Sequence, residues 1–356
     1  MTGDATELID PRPGEALESS RLEPYLRARL PNTDGPFSFR QFGGGHANLT
    51  YEICFGGHAY VLRRPPPGPV APSSHDMKRE HRVLARLYEV FPLAPRSYLH
   101  CGDSGIIGAE FHVMERRRGI VIRTEVPKHF AGDLALVRRI GEMIVDTLAA
   151  LHTVPPEVAG LGDLGRPEGY VERQLDGWTK RWHAAKDHDL VRVDAIIARL
   201  HRRVPHPPAV SLLHNDYKLD NMLVDAEDPG RAVAVLDWDM CTRGDPLMDL
   251  GYLLNCWAEP SDDPEWRNVA SMPTWQPGFP SRAEVIARYG KATAYELADV
   301  GWYHLFGVFK LIVIIQQLYI RFLRGHTLDQ RFATYGARVA ALAEKGAVLM
   351  VEDAGR

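Results

Sequence analysis

The stretch LLHNDYKLDNMLVD, followed by VLDWDMCTRGDPLMDL, constrains this chain more than any other part of it. His214 stands two residues before Asp216, Asn221 five residues after Asp216, and Asp237 sixteen residues after Asn221. An apolar strand over residues 210–213 delivers His214 and Asp216 to a loop. A second strand begins at Met222, so Asn221 lies at the far end of that loop. Asp237 ends a third strand, residues 232–236, and is expected to point into the same corner. Two oxygen ligands, Asn221 and Asp237, completed by phosphate oxygens and water, suit Mg2+. Asp216 is then left to accept the proton of an attacking hydroxyl.

The neighbouring polar residues divide by role. His214 is expected to brace the loop by hydrogen bonding, and Asp220 and Asp225 to serve turns and face solvent. Asp239 can be a second metal ligand or a loop cap. Asp245 precedes Pro246 and fits a helix N-cap with proline at the first helical position.

Residues 1–20 are polar and expected to be a flexible tail, followed by a helix over residues 21–30. Between Phe37 and Glu115, short stretches with period-two alternation (FSFRQF, NLTYEICF, HAYVLRR, GAEFHVME) predict strands separated by glycine or proline. A helix over residues 74–90 interrupts them, after the stiff loop PPPGPVAPSS. Beyond Glu115, helical stretches are expected over 132–153, 170–188 and 190–204. After the strand island that carries Asp216 they return over 281–289, 295–323 and 328–351. The domains are therefore read as a tail, 1–20, an N-lobe, 21–115, and a C-lobe, 116–356. The fold class is α+β, a small β-rich lobe followed by a larger, mostly helical one, with a ligand expected in the cleft between them.

The chain has 356 residues with 45% apolar and 25% charged side chains, and 42 basic against 46 acidic residues give a net charge of -4. That balance argues against a nucleic-acid partner. Four scattered cysteines without a C-x-x-C pair are expected to be reduced thiols. The first twenty residues lack the apolar core of a signal peptide. The apolar stretch over residues 305–320, interrupted by Lys310, is read as too short and too polar for a membrane span. A soluble, cytoplasmic protein without a membrane partner is expected. Nothing in the sequence sets its oligomeric state.

FGGGHANLTYEI, residues 42–53, lies between two strands, and its glycines Gly43, Gly44 and Gly45 can cover phosphates with backbone N–H groups. A plain hairpin turn has the same composition. No Walker A sequence occurs, so a P-loop reading has no support.

The spacing H-x-D-x-x-x-x-N followed by Asp-Trp resembles the catalytic loop and metal-binding aspartate of kinases. The chain is similar to the aminoglycoside phosphotransferase and choline kinase branch of the protein-kinase-like fold. GGGHANLTYEI, YVLRR, FHVMERRRG, LAALH, LLHNDYKLDNMLVD, LDWDMCTRGDP, GFPSRAEVIARYGKAT and WYHLFGVFKLIVIIQQLYIRF occur in the expected order. They resemble the subgroup related to the kinase-like domain fused to acyl-CoA dehydrogenases, over roughly residues 37–345.

The resemblance implies Mg-ATP as donor and a small-molecule hydroxyl as acceptor. It places Arg63 where related kinases carry a strand lysine that holds the nucleotide phosphates. Glu80 is its implied partner and Glu115 the implied hinge beside adenine. Arg63 rather than Arg64 is selected because it shares a strand face with Val61. It also implies that Asp249 braces the catalytic loop. Arginine is not interchangeable with lysine, so a nucleotide-binding module without catalysis is the alternative.

On the long C-terminal helix, Tyr303, Lys310, Gln317 and Arg321 share one face. Lys310 and Arg321 could line the acceptor cleft and pair with an anion, or Lys310 could snorkel at an exposed edge. The acceptor is read as a hydroxy acid or hydroxyacyl-CoA, or else an amino sugar.

Overall fold

The computed structural model describes residues 8–44, 48–66, 76–327 and 330–354. They form two compact units, and the division follows packing rather than a single cut in the chain.

The first unit comprises residues 1–121, 154–162 and 221–241. Its centre is a six-stranded antiparallel sheet. The strands are β1 (Leu8–Ile9), β2 (Phe37–Phe42), β3 (Leu49–Phe55), β4 (His58–Arg64), β5 (Ser97–Cys101) and β6 (Phe111–Glu115), in the spatial order β1-β2-β3-β4-β6-β5. Alternation builds the core: Tyr51, Ile53, Phe55, Leu62, Phe111 and Val113 are fully buried on one face. Helix α1 (Ser19–Arg27) adds Leu22 and Leu26 to them. The β3–β4 hairpin turns at Gly56, whose φ of +55° suits glycine.

The tail was expected to be flexible from residue 1 to 20. Instead Leu8–Ile9 pairs with β2, Leu17 joins the core, and the Arg12 backbone N–H donates to Gln41 Oε1 at 2.9 Å. Two residues are too few to show a strand period, so the pairing was invisible in the sequence. Helix α2 (Met77–Leu87) is shorter than expected, because Asp76 caps it by accepting the Arg79 backbone N–H at 2.8 Å.

A hairpin of β8 (Met222–Val224) and β9 (Ala232–Val235) packs with this sheet unit, although the sequence reading grouped it with the helical lobe. The reason is hydrogen bonding. Ile120 and Val224 exchange backbone bonds at 2.9 Å, and the Val235 N–H donates to the Leu93 carbonyl at 2.8 Å.

The second unit is mostly helical. It contains α3 (Leu134–His152), α4 (Tyr170–Ala185), α5 (Val191–Arg202), α6 (Leu247–Cys256), α7 (Pro264–Val269), α8 (Arg282–Thr293), α9 (Val300–Leu323) and α10 (Tyr335–Ala354). Strands β7 (Ser211–Leu213) and β10 (Thr242–Gly244) form a small antiparallel pair within it. Helices α6 and α9 cross at close range. A Cβ on Gly251 would lie 2.3 Å from the Tyr303 carbonyl oxygen, and one on Gly307 would lie 2.7 Å from the Gly251 carbonyl oxygen. Only glycine allows that approach, which sets the residues flanking it, Tyr252 and Lys310, against each other. At 24 residues α9 is long and apolar enough to cross a membrane, contrary to the sequence reading, and more than half of its most apolar window is buried within the unit. The four cysteines are free thiols.

Candidate functional site

In the sheet unit, strand alternation sends Arg63 and Arg64 to opposite faces. Arg64 Nη1 donates to the Ile107 carbonyl at 2.8 Å. Arg63 Nη1 pairs with Glu80 Oε1, and Arg63 Nη2 with Asp237 Oδ1 at 2.9 Å. One guanidinium thus bridges two carboxylates from separate elements. Glu80 is completely buried. Its Oε2 meets His112 Nε2 at 3.0 Å, and its Oε1 also accepts the Trp238 backbone N–H at 3.2 Å. Burial alone would raise the Glu80 pKa, but Arg63 and His112 outweigh it and hold the carboxyl down at about 2. Burial works against the Arg63 charge as well. Glu80 and Asp237 overcome it and keep the guanidinium above the ordinary arginine range.

Asp237 sits at φ +69°, a left-handed conformation that a non-glycine residue adopts at a cost of about 1–3 kcal/mol. Asn221 ends a single 3-10 turn, and its carbonyl accepts the Leu236 N–H at 2.8 Å, across the hairpin and one residue before Asp237. Asp239 is pushed up to about 7, first by burial and then by the negative charges of Asp237 and Glu80. Asn48 Nδ2 donates to Asp239 Oδ2 at 3.3 Å. Arg63 neutralises Asp237 Oδ1, while Asp239 beside it is left with a raised pKa, so the corner offers hard oxygen donors of the kind a divalent cation takes.

The remaining sequence-read residues of this unit are spread around it. The Gly43 carbonyl accepts Arg12 Nη2 at 2.8 Å. Gly44 is in the same turn, and Gly45 lies outside the described residues. Glu115 ends β6, where its side chain pairs with Arg117 Nε at 2.9 Å and accepts the Arg96 N–H at 3.2 Å.

In the helical unit, β7 leads into His214, Asn215 and Asp216. Asp249 holds this loop: it accepts the His214 N–H at 2.6 Å and the Asn215 N–H at 2.8 Å. His152 Nε2 lies 3.3 Å from the same carboxylate. Burial would raise the Asp249 pKa, yet His152, His214 and the donated N–H keep it below the usual carboxylate range. His214 is buried, and its Nδ1 accepts the Asp216 N–H at 3.3 Å. Asn215 has φ +68°. Tyr170 donates to its Oδ1 at 2.9 Å, and Lys310 Nζ donates to its carbonyl at 3.0 Å.

Asp216 Oδ1 accepts the Tyr252 hydroxyl at 2.7 Å and lies 3.3 Å from Lys218 Nζ. Burial disfavours the charge on Lys218, but Asp216 and Asp220 more than compensate and keep the ammonium above the normal lysine range. Asp220 was expected to be a solvent-facing turn residue. It is largely enclosed, with its pKa raised by burial, and lies 3.8 Å from Lys218.

Lys310 lines a cavity of about 10 Å³ with Trp178, Asn215, Asp249, Tyr252 and Phe306. The face expected to carry a cationic stripe is divided. Tyr303 is buried and donates to Asp245, whereas Gln317 and Arg321 are exposed and do not line the cavity. The α9 helix outruns the enclosed part of the unit, which parts Arg321 from Lys310. Lys218, Tyr252, Asn48 and Trp178 were missed in the sequence. Only Lys218 left a signal there, a cation two residues from Asp216.

The β-rich unit and the larger, mostly helical unit together define an α+β, protein-kinase-like fold. A sequence profile of the Phosphotransferase enzyme family (APH) matches residues 38–285, and the chain belongs to that family. Acyl-CoA dehydrogenase family member 11 of Rattus norvegicus is 32% identical over 355 residues, which cover 97% of this chain and 44% of that protein. The chain thus spans under half the length of this curated relative. A crystal structure from Ralstonia eutropha assigned to the aminoglycoside phosphotransferases has a TM-score of 0.82 at 28% identity, covering 95% of this chain and 99% of its own. A thermostable mutant of the aminoglycoside phosphotransferase APH(4)-Ia, solved with AMP-PNP and hygromycin B, shares the fold at a TM-score of 0.56 and 18% identity, covering 93% of this chain and 99% of its own.

Proposed function

We propose that this phosphotransferase moves the terminal phosphoryl group of Mg-ATP to a hydroxyl of a small molecule. The carrying observation is the Arg63 bridge between Glu80 and Asp237. It sets a fixed cation beside the carboxylate best suited to a metal–nucleotide complex. Asn221 and Asp237 would hold Mg2+, which neutralises phosphate charge when bound. Arg63 orients the phosphates, Gly43 and Gly44 cover them, and the Glu115 backbone meets the base. Asp216 accepts the proton of the attacking hydroxyl while Lys218 and Tyr252 hold its carboxylate. The AMP-PNP complex of the structural neighbour supports an adenine nucleotide as donor.

The acceptor we favour is a hydroxy acid or hydroxyacyl-CoA. The likeness to an acyl-CoA dehydrogenase family member supports it, as does Lys310 close to Asp216. An amino sugar is the competing acceptor. A nucleotide-binding module without transfer is the competing function, because arginine replaces the usual lysine.

The test is ATP-dependent phosphorylation, read by mass spectrometry, of one pool of hydroxy acids and hydroxyacyl-CoAs and one pool of aminoglycosides. Product should appear in the first pool and fall roughly 10²–10⁴-fold with Asp216→Ala, the weight of a general base. Mg-ATP binding without product in either pool would favour the binding module. Equal turnover by Asp216→Ala would remove that residue from the reaction.

A further inference from the structure

Lys310 has an environment more specific than an anion-binding lysine needs. Its ammonium lies 4.6 Å from the centroid of the Tyr252 ring and 5.8 Å from that of Trp178. It donates to the Asn215 carbonyl at 3.0 Å. Two aromatic faces and a carbonyl oxygen around one point are the chemistry that recognises an ammonium ion. The point is also one side chain from the reacting carboxylate, since the same Tyr252 donates to Asp216 Oδ1 at 2.7 Å. The space that remains, about 10 Å³, holds no more than one water. Here the chain fills its own cation box.

We infer that Lys310 is a specificity-determining residue: its tethered ammonium occupies the box formed by Tyr252, Trp178 and the Asn215 carbonyl, and so excludes acceptors that bring an ammonium group to that position beside Asp216. Two effects act together. The aromatic faces and the carbonyl are already engaged, so an incoming amine finds no partner. The fixed positive charge also repels it at short range in a poorly solvated pocket. An uncharged or anionic acceptor meets neither obstacle. The box itself stands on geometry alone. Only the statement about acceptors rests on the proposed phosphotransferase reading.

The experiment separates the two. Lys310→Ala removes the side chain beyond Cβ, and n-propylammonium replaces what was removed. 1-Propanol is the uncharged control. By calorimetry on the full chain, the variant should bind n-propylammonium with a Kd of roughly 1–10 mM and at least about ten-fold more tightly than 1-propanol. Wild type, and Lys310→Met, whose apolar chain refills the box, should bind neither. Cation binding by wild type, or no preference for the cation in the folded variant, overturns the proposal.

Lys310→Ser, with a hydroxyl for the Asn215 carbonyl, is the second test should the alanine variant not fold. In wild type, independently of any variant, the Lys310 ε-methylene protons should resonate upfield of the other lysines through the ring currents of Tyr252 and Trp178. An ordinary shift overturns the box. With acceptors, Lys310→Ala should raise kcat/KM for amine-bearing hydroxyl compounds at least about ten-fold relative to amine-free ones, the size of one cation–aromatic contact. An unchanged ratio overturns the specificity role. Absence of phosphoryl transfer from every acceptor would defeat the enzymatic reading while leaving the n-propylammonium result to decide the box.

Discussion

Tyr252, on α6, donates its phenolic hydrogen to Oδ1 of Asp216 at 2.7 Å, and its ring packs against the half-buried Lys310. The carboxylate is thereby held from a helix rather than only from its own loop. Burial, and then the negative charge of Asp216, raise the Tyr252 pKa well above that of a free phenol, so the hydroxyl remains a donor at any working pH.

Tyr252→Phe should lower kcat roughly ten-fold, with little change in either KM or melting temperature. A hydrogen bond to a charged group is worth about 1.5–3 kcal/mol, and the ring that packs against Lys310 is retained. Steady-state kinetics with the acceptor found in the pooled assay checks this. An unchanged kcat would mean that Tyr252 does not orient the base.

Glu80→Gln should destabilise the protein by about 3 kcal/mol, because Arg63 stays buried after its more enclosed countercharge is lost. The guanidinium would then rest wholly on Asp237 and compete with a metal ion there. Mg-ATP affinity should fall along with the melting temperature. Calorimetric unfolding and nucleotide titration on the same sample test both halves.

Gly251→Ala should cost about 1–3 kcal/mol, since its new methyl would stand 2.3 Å from the Tyr303 carbonyl oxygen and force α6 and α9 apart. The same displacement should weaken the contact of Lys310 with Tyr252. A melting temperature within a degree of wild type would show that the helices part freely.

Asp245 supplies a pH dependence. Burial raises its pKa to about 6, against the opposing hydrogen bonds from Tyr303 and the Leu247 N–H. An ordinary aspartate titrates near ~4. Between about pH 4 and 6 the native state therefore holds this proton more tightly than the unfolded chain. Its contribution to stability is full below that window and is lost as pH rises through it, by roughly 2–3 kcal/mol. Asp245→Asn keeps an oxygen to cap Leu247 and removes the titration. The difference in unfolding free energy between wild type and variant should slope across this window and be flat above it. A flat difference throughout would mean that Asp245 titrates normally.

The sequence was informative wherever the chemistry lies in consecutive residues. The interval from His214 to Asn221 defines a loop, the alternation of Val61, Leu62, Arg63 and Arg64 decides which arginine shares a face with Val61, and Asp245-Pro246 announces a helix. It was silent where a short segment gains structure only by pairing, as Leu8–Ile9 does along β2. It misjudged the α9 face, because a helical wheel ranks residues by angle and cannot say where along its axis the helix leaves the core.

The spacing of Asp216, Asn221 and Asp237 was therefore a property of the chain alone, and the pairing of Arg63 with Glu80 followed from the family resemblance. The surroundings of those residues were decided by tertiary packing. Asn48 meets Asp239 across 191 residues and Lys310 meets the Asn215 carbonyl across 95. No local spacing encodes such pairs. They exist because burial brings distant polar groups together and, once buried, each must find a partner or pay in desolvation.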